Sequence, residues 1–169
     1  MTVPDDLRGE ALLDHLRVIF HQTPLHALLG FEFHETPTPE TGEPDVVRVS
    51  MPVRDEAFNA SGNLHGGAIA TLIDVAAGSC AARASGFDPV TQSLVTADLH
   101  VRYLGRPKGD TITAEARLMR AGRMLIVVEI RVTDPPGNVI AFADFSSMVV
   151  PRREPLDAAA GSDPRSPDL

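Results

Sequence analysis

The chain has no tryptophan, one tyrosine and one cysteine among its 169 residues. With so few large aromatics, the core must come from aliphatic side chains and seven phenylalanines. The lone cysteine, Cys80, cannot close an internal disulfide, and no zinc-binding Cys/His spacing can be built around it. Its place in an apolar stretch assigns it to packing. His15, His21, His26 and His34 show no metal-ligating spacing. An uninterrupted apolar run of membrane-spanning length is also missing, so no membrane partner is expected. The opening MTVPDDLRGE is acidic and lacks the apolar region of a signal peptide, which makes the cytoplasm the expected compartment. Positive charge is short as well. Lys and Arg number 15 against 23 Asp and Glu, a formal net charge of −8. A general attraction to phosphate backbones is therefore absent, and nucleic acid is not an expected partner. A local group of arginines can still hold a small anion.

What is present suits one domain: 43% of the residues are hydrophobic, enough to bury a core. Residues 5–20 show apolar positions at three- and four-residue spacing, which predicts a helix that Pro24 ends or redirects. Residues 36–44, TPTPETGEP, read as a loop. From Val46 to Val53 apolar and polar residues alternate, the mark of a half-buried strand, with Pro52 placing it near an edge or bulge. The loop Asn59–Gly67 opens into AIATLIDVAAGSCAARAS, one long helix capped by Gly86. That helix is nearly uncharged, so it is expected to be buried. Four strand-like segments follow at 93–104, 111–120, 124–132 and 139–150, joined by turns at 105–110, 120–123 and 134–138. In the first, Val95, Ala97, Leu99, Val101 and Tyr103 are expected on one face, with Thr96, Asp98, His100 and Arg102 on the other. The tail from 152 to 169 is expected to be disordered. The domain reading is thus a helical extension over 1–24, a main domain over 25–151, and a tail. Its class is α+β, one antiparallel sheet wrapped around one helix. A helix covers only one face of a sheet, so a partner subunit is expected on the other face or at the sheet edge.

Asp74 is the residue this fold does not explain. A carboxylate in an apolar helix costs several kcal/mol unless it is paired or hydrogen-bonded. Its helical neighbours Ala70, Thr71, Ala77, Gly78 and Ala81 are small, leaving room for another backbone or a ligand. A structural carboxylate bonded to loop amides is the competing reading. At the helix start, the amides of Gly66 and Gly67 face outward at the positive end of the helix dipole and could hold a developing oxyanion. Ordinary turn geometry also accounts for a glycine pair there. Gly66 and Asp74 lie eight positions apart, roughly 12 Å along one helix. Groups that act on one reacting carbon must lie within a few ångströms of it. Two antiparallel helices from two chains would satisfy that, so a dimer with shared sites is expected.

The segment FNASGNLHGGAIATLID resembles the signature of the phenylacetic-acid-degradation (PaaI-like) thioesterase group of hotdog-fold proteins, with N-x-x-G-x-x-H-G-G and a helical Asp as its diagnostic part. The likeness extends over about residues 46–150, through VTADLHVRYL and the Lys108-Gly109-Asp110 turn. It implies a hotdog fold and acyl-CoA hydrolysis at a dimer interface, often within a tetramer, without a metal or separate cofactor, coenzyme A being part of the substrate. By position it implies that Asp74 is general base or nucleophile and that the Gly66 amide polarises the carbonyl. Asn59 would orient the carbonyl or water, His65 would sit near the leaving sulfur, and Thr96 would help hold the water. Arg102, Arg106, Lys108, Arg120 and Arg123 cluster at strand ends and turns as candidate contacts for the CoA nucleotide, although each alone reads as ordinary surface charge. Two rival readings stand beside this one. A dehydratase or hydratase would pair His65 with Asp74, and a non-catalytic acyl-CoA binder would have no use for Asp74 as a base.

Overall fold

The computed structural model describes residues 18, 23–34 and 45–152. Apart from Val18, the expected N-terminal helix lies outside the described residues, as do the 36–44 loop and all of the tail beyond Arg152.

Six strands form one antiparallel sheet: β1 (Glu32–His34), β2 (Val46–Pro52), β3 (Gln92–Tyr103), β4 (Thr111–Ala121), β5 (Leu125–Thr133) and β6 (Val139–Pro151). Their order across the sheet is β1-β2-β4-β5-β6-β3. A short helix α1 (Pro24–Leu29) precedes them, and the long helix α2 (Gly66–Ser85) joins β2 to β3. The sheet wraps around α2, the hotdog arrangement. Alternation builds the core from the strand side. Val47, Val49 and Met51 of β2, Ile112, Ala114 and Ala116 of β4, and Ile126, Val128, Ile130 and Val132 of β5 all turn inward. Leu72, Ile73, Ala76, Ala77 and Cys80 of α2 meet them and are wholly buried. Each buried Leu or Ile contributes about 1.5–3 kcal/mol. Burial also pushes the Cys80 thiol up to about 12; the nearby Asp45 charge adds to this and Arg83 opposes it. An inert packing role fits. Arg83 itself pairs with Asp45 at 2.8 Å.

The structure departs from the sequence reading in four places. Pro24 opens α1 at a first-turn position, where no amide hydrogen is needed, and Gly30 closes that helix at φ 68°. β1 was not foreseen, because three residues carry no readable period. It pairs with Arg48–Ser50, so β2 is an interior strand rather than an edge. Pro52 stands at its last position, two residues past that pairing.

The third departure is a β-bulge in β3. Thr96 faces Ser147 while Asp98 faces Ser146, so Ala97 is the extra residue. A bulge shifts the side-chain alternation by one. Thr96 therefore shares the inward side with Leu99, Val101 and Tyr103, and the expected grouping of Val95 and Ala97 with those residues is wrong.

The fourth concerns α2. Only one of its faces is buried in the chain; Thr71, Asp74, Val75, Gly78 and Ser79 are half-buried. The helix is long and apolar enough to cross a membrane by length and mean hydropathy, although no unbroken apolar run reaches that length. Half of its apolar window is buried inside the fold, so core packing accounts for much of that hydropathy.

Candidate active site

The half-buried face of α2 carries the carboxylate. Thr96 Oγ1 donates a hydrogen bond to Asp74 Oδ1 at 2.9 Å, joining the edge strand β3 to the middle of the helix. Asp74 is thus partnered and only partly withdrawn from water, not sealed in an apolar core as the helix composition suggested. A partly hydrated carboxylate with one oxygen held by a hydroxyl keeps lone pairs free to accept a proton from water.

A cavity of about 470 Å³ runs along this face of the helix, with Asp74 and Thr96 in its wall. Val75 and Gly78 form part of its floor. Phe33 of β1 and Leu94 of β3 contribute from the two edges of the curled sheet, and Phe87 and Phe145 add aromatic surface. Polar side chains, among them His26, Ser79, Ser93, Ser147 and Arg152, alternate with this apolar surface. Concave sites for small molecules combine apolar walls with polar groups that fix orientation.

The start of α2 is built by the loop before it. Asn59 Oδ1 accepts from the amides of Ser61 (2.9 Å) and Asn63 (3.1 Å), folding the loop back on itself. The His65 amide then donates to the Ala57 carbonyl at 2.7 Å. His65 caps the helix, its Nδ1 accepting from the Gly67 amide at 2.8 Å. Two consequences follow. The Gly67 amide is occupied by His65, so the expected ligand contact through it is not open in this arrangement. With Nδ1 accepting, a neutral His65 carries its proton on Nε2, which is left to donate. The Gly66 amide has no hydrogen-bond partner among the described residues.

Tyr103 is a residue that sequence reasoning missed. Its hydroxyl donates to the Gly66 carbonyl at 3.0 Å. A Cβ on Gly66 would lie 3.3 Å from the Tyr103 ring, tighter than most real contacts. The glycine lets β3 lie close against the helix start. The signal available was the solitary tyrosine, one alternation step past Val101.

Within one chain these parts stay apart. Gly66 and Asp74 are the first and ninth residues of one unbroken helix, so roughly 12 Å of helical rise separates them. His65 lies further off still, so one chain does not bring it against Asp74 as a dehydratase pair would require. The basic residues do not form one cluster either. Arg106 and Lys108 lie in the loop between β3 and β4, at the end of the sheet where the Lys108 amide donates to Asp134. Arg120 and Arg123 lie at the β4–β5 turn, the opposite end of an 11-residue strand, roughly 35 Å away at ordinary strand rise. Arg102 pairs with Asp144 at 3.3 Å. Among the described residues no group of three or more His, Cys, Asp or Glu is placed to hold a metal.

Comparison with known proteins bears on this geometry. The profile described as "Thioesterase superfamily" matches residues 61–141, which span the helix, the end of its preceding loop from Ser61, and β3 to the start of β6. A Halobacterium salinarum protein that carries an esterase name is 37% identical over 113 residues, 65% of this chain and 72% of its own length. Among solved structures, a mutant thioesterase from Pseudomonas aeruginosa superposes with a TM-score of 0.74 at 24% identity, covering 86% of this chain and 98% of that one. The PaaI protein of the E. coli phenylacetic acid degradation operon superposes at 0.67 with 19% identity, over 82% and 92% of the two chains. At such identities these structures speak for the fold. The sequence relative and the superfamily profile carry the kinship itself: this chain, with its hotdog fold, belongs to the thioesterase superfamily.

Proposed function

We propose that the protein hydrolyses acyl-CoA thioesters to a free acid and coenzyme A. The observation that carries this reading is the Thr96–Asp74 hydrogen bond at the wall of this cavity. In the reaction, Asp74 takes a proton from water as the water attacks the thioester carbon, the C–S bond then breaks, and the proton passes to the departing coenzyme A sulfur. Alternatively Asp74 attacks that carbon itself, the thiolate leaves, and water hydrolyses the acyl–Asp74 anhydride to the free acid. Thr96 fixes the carboxylate oxygen that does not react. The carbonyl oxygen gains negative charge as the bond forms. An unpartnered first-turn amide such as that of Gly66 suits that charge, and preorganised donors of this kind lower a barrier by about 3–4 kcal/mol. His65 Nε2–H and the Asn59 side-chain amide are the remaining donors at that helix start, available to the carbonyl or the leaving sulfur.

Because amide donor and carboxylate are held apart in one chain, the complete site draws on two. Two features support self-association as a dimer or larger assembly. β3 is a 12-residue edge strand whose one ladder neighbour among the described residues is β6. The open face of α2 presents Thr71, Gly78 and Ser79, residues small enough for close approach. The basic side chains form two separate groups, Arg106 with Lys108 and Arg120 with Arg123, and one of these pairs, not both, serves the nucleotide of a given substrate.

The test is release of free thiol from a panel of short, long and aromatic acyl-CoAs, with Asp74→Asn beside the native protein. Turnover that collapses in Asp74→Asn while its circular dichroism and melting temperature hold is the expected result. Near-native turnover in that variant would remove Asp74 from the mechanism. Tight binding without turnover in the native protein would mark a binder, and hydration of crotonyl-CoA faster than its cleavage would mark a hydratase.

A further inference from the structure

Two buried side-chain polar atoms among the described residues have no hydrogen-bond partner: Ser147 Oγ and Arg152 Nε. Both residues line the cavity that holds Asp74. Their positions along it differ. Ser147 is the ladder partner of Thr96, and Cβ atoms of directly opposed residues lie about 5 Å apart. It belongs to the carboxylate end, where a reacting carbonyl or water is at hand to satisfy it.

Arg152 stands at the other end. Its amide donates at 2.8 Å to the carbonyl of Thr91, the residue just before β3. From Thr96 back to Thr91 is five residues, roughly 16 Å of extended chain. The helix wall marks a similar span, from Asp74 to Ala82, eight residues or about 12 Å. Whatever satisfies Arg152 must therefore lie well away from the reacting carbon. Neither the thioester carbonyl nor the attacking water reaches it, whereas an acyl chain lying along the cavity does.

The chemistry of the cavity narrows what that group carries. A guanidinium offers donors only and stays charged. Arg152 enters no ion pair among the described residues. The one carboxylate among the described lining residues is Asp74, at the opposite end. Between the two, Val75, Gly78 and Leu94 give apolar wall, interrupted by Ser93 and by Ser79, whose hydroxyl is already spent on the Val75 carbonyl at 2.7 Å. A ligand matched to this lining has an apolar middle and an anionic oxygen at its far end. Resting on the acyl-CoA reading above, we propose that the accepted acyl group carries a carboxylate remote from the thioester, as in the half-thioester of a straight-chain dicarboxylic acid, with Arg152 as its counter-ion. A terminal hydroxyl would meet one donor of Arg152 and leave its charge unmatched.

The experiment uses the full chain and paired substrates of equal length: adipoyl- against hexanoyl-CoA, suberoyl- against octanoyl-CoA, sebacoyl- against decanoyl-CoA. A terminal-hydroxy octanoyl-CoA forms a further arm. At the best-fitting length, kcat/KM for the carboxylate member should exceed that of its methyl-ended partner by about tenfold or more, the scale of a charge-assisted hydrogen bond. Arg152→Gln should bring that ratio close to one with the melting temperature retained. Arg152→Lys should keep part of it, since charge remains and the fork is lost. A ratio of one or less at every length would overturn the proposal. So would a hydroxyl arm equal to or faster than the carboxylate, or an unchanged ratio in Arg152→Gln. Thiol release from the methyl-ended substrates without any carboxylate preference would remove this inference and leave the thioesterase reading standing. No release from any substrate would sink both.

Discussion

Helix α2 has two faces, and they obey different rules. Toward the sheet, Leu72, Ile73, Ala76, Ala77 and Cys80 are 0% exposed and interlock with the inward residues of β2, β4 and β5. On the other side, Thr71, Asp74, Val75, Gly78 and Ser79 are half-buried, and four of them line the cavity. Both faces are built largely from small or apolar residues, so composition does not separate them. Packing dictates the first face. On the second, a single carboxylate is tolerated because solvent and the Thr96 hydroxyl relieve it. One element thus serves stability and chemistry through residues only a position or two apart.

That division can be broken by experiment. The largest effect is expected at Asp74→Asn, which should lower kcat by about 10²- to 10⁴-fold, the usual share of general acid–base catalysis. Its melting curve should overlay the native one; a large fall in stability instead would place Asp74 among the packing residues. Next comes Leu72→Ala on the buried face, expected to cost about 2–5 kcal/mol in urea unfolding, with turnover per folded molecule largely preserved. A smaller effect, remote from both faces, is expected at Asp134. Burial by itself would raise its carboxyl. The Asn138 side chain, the amides of Lys108 and Asn138, and the Lys108 charge outweigh that and hold it below the usual carboxylate range. A lowered native pKa gives stability that is present above about pH 4 and lost as pH falls toward the native value. Asp134→Asn should therefore flatten the decline of melting temperature with pH below about 4, and an identical decline would refute this. The smallest change is expected at Gly78→Ala. A Cβ there meets nothing within 4 Å in the single chain, so helix propensity alone should add up to about 1 kcal/mol. A loss of stability together with weakened association in sedimentation would show that another chain's backbone packs on that face.

Much of the fold was legible because its long elements have clean periods. The strands at β4 and β5, the cap at Gly86 and the turn at 134–138 stand where alternation and turn chemistry put them. Elements too short to show a period, α1 and β1, were not legible, and neither was the bulge at Ala97. A bulge is invisible to alternation because it breaks the very rule used to read the strand. At the site, the spacing of Gly66 and Asp74 was readable from helix geometry alone. Thr96 was singled out by resemblance, while its face was misread. Ser147, Tyr103 and Arg152 escaped notice for a common reason: each matters through a partner distant in sequence, which no local pattern records.

The unbroken run of α2 between Gly66 and Asp74 has a further consequence. An α-helix cannot telescope, so no loop closure or side-chain rotation in a lone subunit can bring donor and carboxylate to the same carbon. If turnover needs both, each folded monomer owns the unfinished ends of two reaction centres and the whole of none. Specific activity should then fade on dilution below the dissociation constant of the assembly, and mixing two differently crippled, individually silent variants, one altered at each end of the rod, should restore it.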